Sequence, residues 1–416
     1  MRETVVFITF FLVTQIFIGN AAFGESENIP KYVTVPVYYL TDRNQDGETY
    51  GNRRRYQINC LHRMYYGTAF VTVPNSNQEK HDSKFDALGW KEANQKEAHI
   101  SPKDRIDSTH PVKAKLEFFE RLRSALDRLS TDTLCVYVPG AVVGFEESCE
   151  DAAEFAYYLK RPMVFYSWPA EPKLLDYLVD NNNSEWSQGH FMMFDRDLSV
   201  FKNSHPLRVI YLAHSMGNRF IFRALHQIYK NELVGDLELI SPDIDLDTCR
   251  HYLMGFRKVD YGTAIRLYVS NRDRMLRISQ HIFGGYARLG EHVEQDLGPT
   301  RTVEELTVRK DKITKKEHET QISSSLIQQS TLPEKTESHK EDEMVDEELG
   351  GHHETSGAEV FERIDFTALD KGLTGHTIPF QLISDMVNGV KPKGFELVED
   401  KAEKAVSHAK VVQESQ

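Results

Sequence analysis

The stretch Leu207-Arg208-Val209-Ile210-Tyr211-Leu212-Ala213-His214-Ser215-Met216-Gly217-Asn218-Arg219 decides how the rest of the chain is read. Arg208 to Ala213 is a β-branched and apolar run, the pattern of a strand buried on both faces. Beyond His214, residues Phe220, Ile221, Leu225, Ile228 and Tyr229 recur near helical spacing. A serine therefore stands in a tight turn between a buried strand and a helix. That turn is sterically demanding, because the two backbones approach closely on either side of it. The residues two before and two after the serine must be small, and Ala213 and Gly217 meet the need. A lone small-x-Ser-x-Gly pentapeptide is common, and most serines cap helices or face solvent. The flanking strand and helix give Ser215 its weight as a candidate nucleophile. At the N-terminus of the helix, free N–H groups and the helix dipole favour negative charge developing beside it.

Outward from this stretch, strands and helices alternate. Leu116, Phe119, Leu122, Leu126 and Leu129 predict an amphipathic helix from Pro111. Leu134–Val138 reads as a buried strand, Glu146–Leu159 as a helix and Met163–Tyr166 as a strand closed by Ser167-Trp168-Pro169. A helical or irregular stretch runs to about Leu198. After the serine helix come strands at Asp236–Ile240 and Ala264–Val269, with a helix between them. This alternation predicts an α/β fold with a mostly parallel, doubly wound sheet and right-handed crossovers. A core of residues 111–291 follows. Ahead of it, Tyr32–Leu40 and Gly67–Pro74 mark a strand-rich extension over 25–110 that packs on the core. Within that extension Arg53–Arg55 reads as solvated loop, and 75–111 as loop or boundary. Residues 292–356 are polar and lack an apolar period, so a disordered insertion is expected. Residues 357–390 complete the core, with a short strand near Val360–Asp365 and an apolar-faced helix ending at Val390. A charged tail occupies 391–416.

Composition narrows the function classes. The 416-residue chain carries a formal net charge of −13, which argues against nucleic acid as a partner. It has neither a G-x-x-x-x-G-K-[ST] run nor a G-x-G-x-x-G after a strand. No metal or cofactor is implied. Arg2, the apolar run Val5–Ile18 and the small residues through Gly24 match a secretory signal peptide over residues 1–24, cleaved after Ala22 or Gly24. The expected location is the periplasm or the exterior; an uncleaved anchor is the alternative. The four cysteines, Cys60, Cys135, Cys149 and Cys249, lack the spacing of a zinc site. Cys135 reads as a small core residue, and a bridge through Cys60 or Cys149 stays unassigned.

In a doubly wound sheet, reacting groups gather beyond the C-terminal ends of the strands. Ser215, Asp273 and His376 each follow a strand, in that chain order. Histidine would take and return the serine proton, and aspartate would hold the imidazole tautomer. Asp243, Asp245 and Asp247 compete for the acid role, with Asp245 or Asp247 also suited to capping a helix. Among seventeen histidines, His376 is best placed; His214 reads as a packing residue beneath the turn. Oxyanion donors would be the backbone N–H of Met216 and of the turn at Gly140-Ala141. Trp168 fits either a pocket wall or a structural role.

The runs Val136-Tyr137-Val138-Pro139-Gly140, Ser167-Trp168-Pro169, Ala213–Arg219, Ser241-Pro242-Asp243-Ile244-Asp245 and Tyr268–Asp273 together resemble an uncharacterised bacterial family of α/β-hydrolases. So does the start at Val35–Arg43. The likeness spans about 32–290 and resumes near 357–390. It implies the α/β-hydrolase fold and a serine hydrolase with the AHSMGN elbow, acting on a small-molecule or lipid-like ester. In that family the first core strand is usually followed by His-Gly-Tyr-Asn; here Pro139-Gly140-Ala141-Val142 stands instead. That departure keeps two alternatives in play. One is a catalytically silent, partner-binding version of the fold. The other is a thioesterase, amidase or acyltransferase on the same triad. Association with a membrane surface and the oligomeric state are open at this level.

Overall fold

A computed structural model describes residues 29–55, 64–95, 98–99, 111–173, 176–230, 234–253, 264–291, 301–302, 362–367, 369–370 and 372–390. The leader at 1–24, the tail at 391–416 and all but residues 301–302 of the expected insertion lie outside them. Among the described residues no helix is long and apolar enough to cross a membrane.

Strands β1 (Tyr32–Thr41), β2 (Arg43–Asp46), β3 (Thr49–Arg54), β4 (Tyr65–Pro74), β5 (Lys91–Ala93) and β6 (Ala98–His99) come first. A short helix α1 (Ser83–Ala87) falls between β4 and β5. Then follow α2 (Pro111–Arg128), β7 (Thr133–Val138), α3 (Phe145–Leu159), β8 (Met163–Ser167), α4 (Tyr177–Lys202) and β9 (Arg208–His214). A 3-10 turn at Ser215–Gly217 leads into α5 (Asn218–Lys230), β10 (Val234–Ile240), α6 (Leu246–Leu253), β11 (Ile265–Val269) and α7 (Arg274–Ile282). The last elements are β12 (Arg301–Thr302), β13 (Glu362–Asp365) and α8 (Phe380–Asn388).

The main sheet runs β12-β13-β11-β10-β9-β7-β8-β1-β4-β6, with β5 also on β1. Every pairing from β12 to β1 is parallel, while β1–β4, β4–β6 and β1–β5 are antiparallel. β9 sits inside this sheet, with Ala213 opposite Val138 of β7 and Leu239 of β10. Because side chains alternate along a strand, β9 supplies both faces. Val209, Tyr211 and Ala213 pack with α2, α4 and α5, whereas Ile210 and Leu212 pack with α3 and α8. This explains why its sequence is apolar without alternation.

Three local expectations change. Leu116 is 60% exposed; the buried stripe of α2 is Ala114, Phe118, Leu122, Ala125 and Leu126. A stripe carrying two alanines is harder to see than one carrying leucines, though it lets the helix approach the sheet closely. Residues 43–54 form the β2–β3 hairpin rather than a loop. Only Arg53 of the arginine triplet is exposed: Arg54 donates to Asn183 Oδ1 (2.7 Å), and the Arg55 guanidinium covers the Tyr65 ring at 3.6 Å. Residues 75–111 include α1, whose start Asp82 caps by accepting the Phe85 N–H, and β5. Cys135, Cys149 and Cys249 are buried free thiols; Cys60 lies outside the described residues.

Candidate active site

Ser215 holds φ +52°, a left-handed conformation that costs a non-glycine residue energy and that the surroundings must enforce. Asn218 enforces it from below. Its side-chain amide donates to the carbonyls of Ala213 (3.1 Å), Ser215 (3.0 Å) and Ile240 (3.2 Å), tying strand, turn and neighbouring strand together. The Asp243 N–H adds a bond to the Ser215 carbonyl at 3.1 Å. A Cβ on Gly217 would overlap the carbonyl oxygens of Val138 and Pro139, so glycine is obligatory there.

His376 reaches this edge through β13. The parallel register sets Asp365 opposite Val269, and both strands end on the side where Asp273 caps α7. Asp273 accepts the Leu276 N–H at Oδ1 (3.0 Å) and meets His376 Nδ1 at Oδ2 (2.7 Å), across 103 residues. The same carboxylate thus fixes a helix start and orients an imidazole. Asp370 secures the loop between: it accepts the hydroxyls of Ser270 (2.7 Å) and Thr377 (2.9 Å), and its carbonyl accepts Arg272 (2.9 Å). The Arg274 N–H closes the loop onto the Thr374 carbonyl at 2.7 Å.

Ser215 and His376 line one cavity of about 230 Å3, with Ala141, Val142, Val143, Tyr177, His214, Met275 and Leu276. The walls are mainly apolar. The Pro139–Gly144 turn forms one side and is held from several directions. Trp168 Nε1 donates to the Pro139 carbonyl (2.9 Å), Arg43 to the Val143 carbonyl (2.7 Å), and the Val142 N–H to Asp180 Oδ2 (2.9 Å). Val142 takes φ +61°, a strained state for a β-branched residue. A Cβ on Gly140 would stand 2.9 Å from Ser215 Cβ, so this turn abuts the serine directly.

Arg43 and Asp180 are supports that the sequence alone does not mark. Arg43 is fully buried, and its Nε donates to Ser167 Oγ (2.8 Å). Burial lowers its guanidinium to about 10, although Asp42 and Asp180 oppose the shift. Burial likewise pushes the Asp180 carboxyl up to about 6, against the pull of its bonds from the Glu171 and Val142 N–H groups. Trp168 is fully buried and packs on Phe220 rather than facing the cavity.

The competing acids have other work. Asp243 takes the Tyr177 hydroxyl, Ser279 Oγ (2.6 Å) and Arg219 Nη2 (3.1 Å). Asp245 accepts Thr248 N and Oγ1 as the cap of α6, and Asp247 pairs at the surface with Arg250. His214 is buried and lines the same cavity as Ser215. Alternation along β9 turns it to the α8 face, where its ring centroid is 4.7 Å from that of His376. Burial, then the adjacent His376, hold its imidazole well below the usual histidine range. Its Nε2 has no hydrogen-bond partner among the described residues. Among those residues, too, no cluster of His, Cys, Asp or Glu could hold a metal ion.

No curated protein and no solved structure matches this chain. A family described as "alpha/beta hydrolase of unknown function (DUF900)" matches residues 114–330, a span that includes Ser215 and Asp273 and ends before His376. With that match over half its length and a largely parallel sheet carrying helices on both faces, the chain belongs to this family of α/β-hydrolases.

Proposed function

We propose that this α/β-hydrolase is an exported serine hydrolase acting on carboxylic esters. Ser215 is the nucleophile, His376 the general base and Asp273 the residue that orients it. The observation that carries the reading is the 2.7 Å contact of His376 Nδ1 with Asp273, in a loop where His376 and Ser215 share a cavity. With Nδ1–H donating to the carboxylate, the lone pair of His376 sits on Nε2, the atom that can accept the serine proton.

Ser215 Oγ attacks the ester carbonyl as its proton passes to His376 Nε2. The tetrahedral oxyanion is met by the backbone N–H groups of Met216 and Ala141. On collapse, the C–O bond to the leaving alcohol breaks and His376 returns the proton to the alcohol oxygen. Water, deprotonated by His376, then attacks the acyl-serine; on collapse the C–O bond to Ser215 breaks, His376 returns the proton to Ser215 Oγ, and the carboxylic acid leaves. The rigid bracing of the Pro139–Gly144 turn supports a preorganised donor rather than a lost one. A cavity of about 230 Å3 lies below the roughly 300–1,000 Å3 usual for small-molecule sites, which favours a short acyl group over a lipid chain.

Labelling with a fluorophosphonate tests this directly. Wild-type protein is expected to gain one adduct, mapped to Ser215 by peptide mass spectrometry. A Ser215→Ala variant should gain none. Absence of any adduct on Ser215 in folded protein would remove the proposal.

A further inference from the structure

A second cavity, of about 250 Å3, opens between α5, α6 and the turn after α7. It is lined by Arg219, Arg223 and Arg288 together with Tyr252, Phe283 and Tyr286. Arg219 and Arg288 are 6% and 4% exposed, and one buried carboxylate, Asp243, serves both. Asp243 is held below the usual carboxylate range by these two guanidiniums, although burial pulls the other way. Among the described residues these two buried guanidiniums share a single buried carboxylate, so neither has a full counter-charge to itself, which burial makes costly.

Arg219 has its bonds: Nε to the Asp243 carbonyl (2.8 Å), Nη1 to Asn181 Oδ1 (2.5 Å) and Nη2 to the carboxylate. Arg288 does not. Its Nε lies 3.3 Å from Asp243 Oδ1 yet makes no hydrogen bond, and Nη2 has only a long contact to the Ser279 carbonyl at 3.4 Å. The carboxylate within the cavity, on Asp245, is directed to the Thr248 N–H and hydroxyl. Arg223 makes a long ion pair with the exposed Glu185 at 3.6 Å, a screened contact that an incoming oxyanion can displace. The Phe283 ring faces both Arg219 (5.2 Å) and Arg288 (4.7 Å), fixing their planes, and Tyr286, 63% exposed, stands at the mouth.

We propose that this cavity binds a small organic oxyanion, a carboxylate or phosphate carried on an apolar or aromatic group. Arg288 and Arg223 hold the oxyanion, and Tyr252 and Tyr286 cover the remainder. The site adjoins the first cavity through Tyr177, whose ring lines the Ser215 cavity and whose hydroxyl bonds Asp243. The proposal does not depend on Ser215 being a nucleophile.

Phenyl phosphate and benzoate are titrated calorimetrically into the full-length protein at constant ionic strength, with sodium chloride as the control. Saturable one-to-one binding of at least one probe is expected, retained in Ser215→Ala. A preference for phenyl phosphate assigns the natural group as phosphate, and the reverse assigns carboxylate. Arg288→Gln should weaken binding roughly tenfold or more. Arg223→Ala and Tyr286→Ala, at partly buried and exposed positions, keep the fold and should weaken it severalfold. Heats that match sodium chloride for both probes would overturn the proposal, as would unchanged affinity in Arg223→Ala and Tyr286→Ala together.

Discussion

Gly375 holds φ +66°, and a Cβ there would overlap the carbonyl oxygen of Arg272. The residue beside His376 is therefore glycine for two independent steric reasons. Gly375→Ala must shift the loop and, with it, the imidazole. The expected result is a stability loss of about 1–3 kcal/mol and a fall in fluorophosphonate labelling rate of roughly a hundredfold, read by melting and by gel fluorescence. Asp273→Asn makes a sharper test. An asparagine still caps α7, so the melting temperature should barely move. It cannot hold the imidazole in the tautomer that leaves Nε2 free, and labelling should slow by roughly 10³–10⁴-fold. Equal rates in Asp273→Asn and wild type would remove Asp273 from the mechanism. Ser215 and the need for Gly217 were legible in the sequence because a strand, a small residue and a helix surround them. Asn218, Asp370 and Arg43 were not. Their side chains act on groups that only the fold brings near, the Ile240 carbonyl for Asn218, Ser270 Oγ for Asp370 and the Val143 carbonyl for Arg43, and nothing in local spacing separates such a residue from one facing solvent.

The turn between β7 and α3 is the element on which the proposed oxyanion site would depend. It replaces the family's usual side chains with Pro139-Gly140-Ala141-Val142, yet its path is fixed by Trp168, Arg43 and Asp180. Asp180 joins two segments, accepting Val142 N–H at 2.9 Å and Glu171 N–H at 2.7 Å. Asp180→Ala strands both donors, at a cost of about 1–3 kcal/mol for each that stays buried. The variant should melt lower and label more slowly, because Val142 loses the bond that sustains its φ of +61°. Wild-type labelling in a destabilised Asp180→Ala would mean that the turn is structural only. Strands β7, β8 and β9 were well marked by sequence, since burial on both faces leaves them almost wholly apolar between their ends. The β2–β3 hairpin was hidden for the opposite reason: its polar residues, Arg53–Arg55 above all, read as a solvated loop, and only the fold reveals the five acceptors around Arg43.

At the scale of the whole molecule, the sheet carries ionisable groups through its core, and they set how stability responds to pH. Glu238 lies mid-strand on β10, fully buried, accepting Tyr268 Oη (2.7 Å) and Arg266 Nη1 (2.5 Å). Burial pushes its carboxyl up to about 7, more than Arg266 and Tyr268 draw it down. The folded state therefore holds this proton more tightly than the unfolded chain, in which an ordinary glutamate titrates near 4.3. Its contribution is complete below that value and is lost as pH rises through about 7. Asp243 acts in the other sense: its folded carboxyl is held below the ordinary range, so its contribution is present above that range and lost on acidification. Glu238→Gln isolates the first effect, because glutamine cannot ionise and Arg266 keeps Asp236 at 3.1 Å. Melting temperatures of wild type and Glu238→Gln, measured from pH 4 to 9, should diverge steadily across the interval from about 4.5 to about 7. The variant gains relative to wild type as pH rises, and the difference becomes constant above it. Parallel curves across that interval would mean that Glu238 is ionised throughout and that Arg266 fully offsets its burial.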